Sequence, residues 1–448
     1  METKARKRKI SNIENHLETH TEHDASSSPP IFDHGDNAHT DVTSLERQNV
    51  TRFGSKQTCP VLQQQSESEK YRDLLDGTAV EHLHKLWDKL NPLLQVLQNM
   101  TYAEGLKPLK LYDSIDELLS MGGSTLLQTL QHDYLNILTT EKSVYPFLNS
   151  DGTCKSLNYD MQPLIGIIYG PTGCGKSQLL RNLMSSKAIR PTPETVFFIT
   201  PQIDMMPPQE ILAWESQICE GNYEAGPQNT FIPQSGCIKP EFIQLNYEEL
   251  LKEHNHNVAH PNNIFAHAAK KGPIAIIMDE CMEELGGHKS IAKFFHAFPS
   301  KLHDKFPQCT GYTLLVVLHN MNPRKDLAGN ISTLKIQAKM HIISPKMHPS
   351  QLSRFINTYT KSLPLPICLL LKDIFNFHAT HCKYDWIIYN CNPLHEALQW
   401  IYMNPVEGLM PMYLNVQTLL YTVLQKIHKT KQDRERWTRY YQNKKLKH

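Results

Sequence analysis

Gly170-Pro171-Thr172-Gly173-Cys174-Gly175-Lys176-Ser177, preceded by the apolar run Leu164-Ile165-Gly166-Ile167-Ile168-Tyr169, decides the fold of this 448-residue chain. The octapeptide matches GxxxxGK[ST], the Walker A phosphate loop, in the order the motif requires: buried strand, glycine-rich loop, helix. The glycines let backbone N–H groups wrap a chain of phosphates, and the following helix aims its positive end at them. Lys176 is placed to reach the β- and γ-phosphates and Ser177 to hold magnesium, with Gly170, Pro171, Thr172, Gly173, Cys174 and Gly175 forming the cradle. A glycine-rich turn without a ligand is the alternative; the strand ahead of the loop argues against it.

Further along, Ile274-Ala275-Ile276-Ile277-Met278 runs into Asp279-Glu280, an apolar strand ending in two acids, as a Walker B strand does. Asp279 is expected beside the magnesium. Glu280 takes the position of the base that orients an attacking water, with a solvated strand end as the alternative. Together the two stretches predict magnesium-dependent ATP binding, with hydrolysis.

Buried strands readable at 164–169, 196–199, 274–278, 312–318, 340–343 and 386–389 alternate with helical patterns near 176–186, 208–219, 247–254, 289–297, 348–360 and 393–403. That alternation predicts an α/β fold, a P-loop NTPase with a mostly parallel sheet flanked by helices, over residues 156–395. Ligands of such sheets bind beyond the carboxyl ends of the strands. His319-Asn320 follows the strand at 312–318 on that rim, and Asn320 is the candidate polar sensor, a turn-forming Asn being the alternative. An arginine finger supplied across a subunit interface is sought at Arg324 or Arg354.

Outside this core the chain changes character. Residues 1–78 are polar and low in complexity, a composition that cannot bury enough apolar surface to order itself. The run Lys4-Ala5-Arg6-Lys7-Arg8-Lys9 within it reads as a nuclear-import signal, a solvated tail being the alternative. Residues 79–155 form a helical unit in which Leu83, Leu86, Trp87 and Leu90 recur at helical spacing until Pro92 interrupts. Residues 396–448 end in a helix whose apolar face is Leu414, Leu420, Val423, Leu424 and Ile427, followed by Lys426, Lys429, Lys431, Arg434, Arg436 and Arg439 interleaved with Trp437, Tyr440 and Tyr441. Basic side chains neutralise phosphates and aromatics stack on bases or anchor the helix, so this segment is the candidate nucleic-acid contact or import signal, a solvated basic tail being the alternative.

Composition bounds the rest. Lysine and arginine number 46 against 45 acids, a net charge of +1, so any nucleic-acid signal is local. Ten cysteines without a CxxC pair suit reduced thiols inside a cell. Cys174 could lose the site to oxidation or alkylation. No stretch approaches the roughly 20 apolar residues that cross a bilayer. His378, His381 and Cys382 lack a second half at ligand spacing and read as structural or solvent-facing side chains, and Trp214 and Trp400 as core.

Residues 166–177 and 276–283, with Lys293–Lys305, Val317–Pro323, His395–Trp400 and Gly408–Asn415, resemble the adenovirus family of genome-packaging ATPases, intermediate-phase proteins that also act on the major late promoter. The resemblance covers roughly residues 160–440 and includes stretches that phosphate-loop proteins at large do not share. It implies a protein that binds ATP and the packaging sequence of double-stranded viral DNA, sits at one capsid vertex and drives or licenses genome entry. It also implies activation of late transcription, partnership with other viral packaging proteins and a late viral DNA-binding regulator, homo-oligomers, and residence in the host nucleus, the nucleolus and the virion. A non-motor DNA-binding regulator using ATP as a conformational switch is the competing reading. A nucleotide kinase is disfavoured by the Asp279-Glu280 pair.

Overall fold

The computed structural model describes residues 76–446 except 219–222, 226–230, 234–239, 283–284, 286–290, 322–327 and 383. Residues 1–75 of the predicted tail, with its basic run Lys4, Arg6, Lys7, Arg8 and Lys9, lie outside the described residues, as does Arg324, while Gly77 and Thr78 at its end already belong to the first helix.

Three helices come first, α1 (Gly77–Glu104), α2 (Ile115–Met121) and α3 (Ser124–Ser143). β1 (Leu164–Tyr169), α4 (Lys176–Ser185), β2 (Thr195–Thr200) and α5 (Pro208–Gln217) open the sheet region, followed by the small hairpin β3 (Tyr223–Ala225) and β4 (Phe231–Pro233). Then come β5 (Glu241–Asn246), α6 (Tyr247–Leu251), α7 (Glu253–His256), α8 (Ile264–Ala269), β6 (Ile274–Met278), α9 (Ile291–Lys305) and β7 (Tyr312–Leu318). α10 (Ala328–Gln337), β8 (Met340–Ile343), α11 (Pro349–Tyr359), α12 (Leu365–His381), β9 (Trp386–Asn390), β10 (Trp400–Asn404), β11 (Gly408–Pro411) and α13 (Leu414–Lys445) complete the chain.

Nine strands make one sheet in the order β11-β10-β9-β8-β1-β7-β6-β2-β5. The six from β8 to β5 are parallel, and β9, β10 and β11 add antiparallel neighbours at one end. β1, β2, β6, β7 and β8 are buried throughout, which explains their unbroken apolar sequences: with both faces covered there is no solvent side to alternate with.

The structure corrects the sequence expectations at several points. The segment near 393–403 is not helical: a 3₁₀ turn at Glu396–Leu398 leads into β10. The run Ala397-Leu398, Trp400-Ile401 fits either period, and pairing of Trp400 to Tyr389 and Ile401 to Ile388 favours the strand. Pro92 does not end α1, because Leu90, Leu93, Leu97 and Met100 continue one buried stripe across it and outweigh the lost hydrogen bond. Likewise α9 runs through Pro299 to Lys305 rather than stopping at 297. The greasy stretch after Leu363 is α12, with Pro364 and Pro366 at its start, where a missing N–H costs nothing.

Leu420, Val423, Leu424 and Ile427 of α13 are buried in one apolar cluster with Leu83, Leu90, Leu127 and Leu130 of α1 and α3. The first half of the C-terminal helix is thus part of the N-terminal bundle. Its tail, from Arg434 onward, is almost wholly exposed.

Candidate functional site: a phosphate loop facing two carboxylates

The loop between β1 and α4 is shaped by close approaches. A Cβ on Gly170 would lie 2.4 Å from Cys174 Sγ and 3.4 Å from Trp386. Gly175 adopts φ +91, a left-handed backbone that suits glycine, and a Cβ there would meet Tyr384 at 3.2 Å. Gly175 is also the N-cap of α4 and offers no side-chain cap, so the helix presents its first N–H groups to the cavity. Cys174 is buried, and that burial pushes its thiol up, leaving little thiolate for the oxidation or alkylation anticipated from sequence.

Sheet register brings the second motif to the same rim. β7 lies between β1 and β6, so Gly170, Asp279 and His319 each follow the carboxyl end of adjacent strands. Asp279 is 8% exposed, and its carboxyl is pushed up to about 6, mainly by burial and then by the Glu280 charge, with Lys176 opposing. A buried carboxylate beside a second acid is a group that a cation would relieve. With Ser177 in the first turn of α4, the donor set fits magnesium.

Lys176 is buried and donates to Pro171 O at 3.0 Å. Its Nζ also lies 3.5 Å from His319 Nδ1, while His319 Nε2 lies 2.8 Å from Glu280 Oε2. If the ammonium donates to Nδ1, Nε2 carries the hydrogen that Glu280 accepts, so one imidazole links the loop lysine to the acid. Glu280 itself has φ +57, uncommon for a residue with a Cβ, and its N–H donates to Asp279 Oδ1 at 3.0 Å. The sensor expected on this rim from sequence, Asn320, is exposed, and its Oδ1 accepts from Gln351 Nε2 at 3.2 Å. His319, one residue nearer the strand end, is the side chain that reaches the acids. Its only sequence signal is that position. Arg354 is exposed on α11.

The cavity so formed, about 710 Å³, is lined by Asp279 and Glu280, by the loop and the first turns of α4, and by Tyr384, Trp386, Met403 and Pro405. A family model described as "Adenovirus IVa2 protein" matches residues 75–446. The chain belongs to the adenovirus IVa2 family. It is 58% identical to Packaging protein 1 of human adenovirus F serotype 40, over 99% of this chain and 100% of that one. It is 57% identical to Packaging protein 1 of canine adenovirus serotype 1 strain CLL, over 99% and 100%. Among solved structures, the DNA-packaging ATPase B204 of Sulfolobus turreted icosahedral virus is similar over 55% of this chain and 99% of that chain, at 16% identity and a TM-score of 0.33.

In this member of the IVa2 family the six basic residues expected to contact nucleic acid do not share one environment. Lys426 Nζ pairs with Asp133 at 2.7 Å. Lys431 Nζ donates to Leu111 O at 2.6 Å and stands 5.1 Å from the Tyr112 ring centroid. Both hold α13 to the bundle. Lys429, Arg434, Arg436 and Arg439 are exposed.

His378, Cys382 and Asp385 bring three potential ligand atoms within 4.8 Å of one another. Asp385 is already satisfied: His378 Nδ1 lies 2.8 Å and Tyr402 OH 3.0 Å from Oδ2, and Asn404 donates to Oδ1 at 2.7 Å. The network closes without a cation and ties α12 to β10. Among the described residues no helix is long and apolar enough to cross a membrane.

Proposed function

We propose that this chain is a viral genome-packaging ATPase that binds ATP with magnesium at the phosphate loop, hydrolyses it, and binds double-stranded viral DNA. The observation that carries the reading is the meeting of Lys176, Asp279 and Glu280 around one cavity at the carboxyl rim of the sheet. Lys176 neutralises phosphate charge and the first turn of α4 supplies N–H donors. Ser177 and Asp279 would hold magnesium, which would supply positive charge against that developing on the phosphates. Glu280 orients the attacking water as base. We assign this chemistry to residues 156–395, extended by β10 and β11, and DNA contact to the exposed part of 396–448, chiefly Lys429, Arg434, Arg436 and Arg439.

Membership of the IVa2 family, with relatives named Packaging protein 1, supports placing the chain at a capsid vertex beside other packaging proteins, as a homo-oligomer. It supports equally the host nucleus and nucleolus, the virion, a late viral DNA-binding regulator as partner, and activation of late transcription. Steady-state hydrolysis by wild type, Lys176→Ala and Glu280→Gln proteins, with and without duplex DNA, tests the proposal. Turnover lost in both variants supports it; equal turnover in all three overturns it.

A second reading, a DNA-binding regulator that uses nucleotide as a switch, is favoured by the grip of His319 on the Glu280 carboxylate at 2.8 Å. It predicts nucleotide binding with negligible turnover even when duplex DNA is present.

A further inference from the structure

A nucleoside triphosphate has a charged tail and a flat apolar head, and the cavity lining holds groups of both kinds. Lys176, Asp279 and Glu280 mark the tail. β9, the loop ahead of it, β10 and the turn after β10 contribute Trp386, Tyr384, Met403 and Pro405 to the same lining, with Trp386 against the start of the loop at Gly170. Trp386 and Met403 are buried, whereas Tyr384 keeps 45% of its surface exposed and lies over Gly175. The next residue, Asp385, is pinned by contacts to His378, Tyr402 and Asn404, so the backbone that carries the Tyr384 ring is held before any ligand arrives. Two polar side chains of α4 in the lining are already engaged: Gln178 donates to Asn182 at 2.7 Å, and Arg181 to Gln217 at 2.8 Å.

We propose that Tyr384 is the platform on which the nucleobase stacks, making this antiparallel end of the sheet a purine subsite for the nucleotide held by the phosphate loop. The proposal rests on the nucleotide reading of that loop. The subsite offers ring faces and apolar walls rather than fixed hydrogen-bonding edges, so it takes purine nucleoside triphosphates as a class. Every base has a face to stack, and the larger purine covers more of the ring.

The test is equilibrium binding of ATP, GTP and inorganic tripolyphosphate, each with magnesium, to the full chain and to its Tyr384→Ala and Tyr384→Phe variants. Removing a stacking aromatic costs roughly 5- to 150-fold in affinity per base. Tyr384→Ala is therefore expected to weaken ATP and GTP in parallel by a factor in that range. Tripolyphosphate should bind as before, and Tyr384→Phe should restore both nucleotides. Three results overturn the platform: tripolyphosphate weakened as much as ATP, neither ligand weakened, or ATP weakened while GTP is not. If the wild-type chain binds neither ATP nor tripolyphosphate, the nucleotide reading itself fails, and the subsite with it.

Discussion

Asp279→Asn should stabilise the metal-free protein while destroying its use. The Asp279 carboxyl is raised from 3.8 to about 6, first by burial and then by the neighbouring Glu280 charge. The folded state therefore holds a proton that the unfolded chain has released, and folding grows costlier as pH climbs from about 4 to about 6, then levels. A rise of about two pH units corresponds to roughly 3 kcal/mol of strain from the ionised form at neutral pH. Asparagine keeps the Oδ1 that accepts from the Glu280 N–H and removes the charge. Urea unfolding in the presence of chelator, at pH values from 4 to 7.5, reads the difference between the two proteins. The variant should exceed wild type by about 2–3 kcal/mol at pH 7.5, with the gap closing towards pH 4. Adding magnesium and nucleotide should reverse the order, because ligand that binds only the folded wild type stabilises it by mass action. A variant less stable than wild type at pH 7.5 without metal would refute the reasoning.

Other substitutions follow from the same geometry. Gly175→Ala forces a side chain into a left-handed backbone and against Tyr384, and should abolish nucleotide binding measured by calorimetry. His319→Ala removes the partner that positions the Glu280 carboxylate and should lower turnover, though by less than the roughly 100-fold or greater loss expected for Glu280→Gln. Lys426→Ala should cost about 1 kcal/mol of stability by leaving Asp133, only 14% exposed, without its partner, while leaving the salt dependence of DNA binding unchanged. Arg436→Ala or Arg439→Ala should do the reverse, leaving stability alone and flattening the logarithmic salt slope by about 0.9 for each phosphate no longer neutralised.

The parallel core is legible in the sequence because burial on both faces forces continuous apolar strands. Five of its strands, β1, β2, β6, β7 and β8, need only that signal, and the antiparallel β9 at Trp386–Asn390 shares it. β5 escapes it because Glu241-Phe242-Ile243-Gln244-Leu245-Asn246 sits at the sheet edge, half exposed and mixed in polarity. β10 escapes it because its apolar residues suit a helix as well as a strand until a partner is known. The Walker residues are legible because the phosphate loop is local: its conformation is written in closely spaced glycines. The platform residues are not, since Tyr384, Met403 and Pro405 reach the loop only through antiparallel pairing of β9 and β10. The role of Lys426 and Lys431 in holding α13 to the bundle is hidden for a similar reason. Nothing near Lys426 or Lys431 in sequence names Asp133 or Leu111 as its partner.

The central claim, that a magnesium-bound triphosphate sits between the start of α4 and Asp279, is tested most directly by titrating ATP with magnesium into the full chain and into its Lys176→Ala variant. Saturable heat at one nucleotide per chain, absent in the variant and absent when chelator replaces magnesium, is the predicted result. No heat from the wild type, or the same isotherm from both proteins, would contradict it.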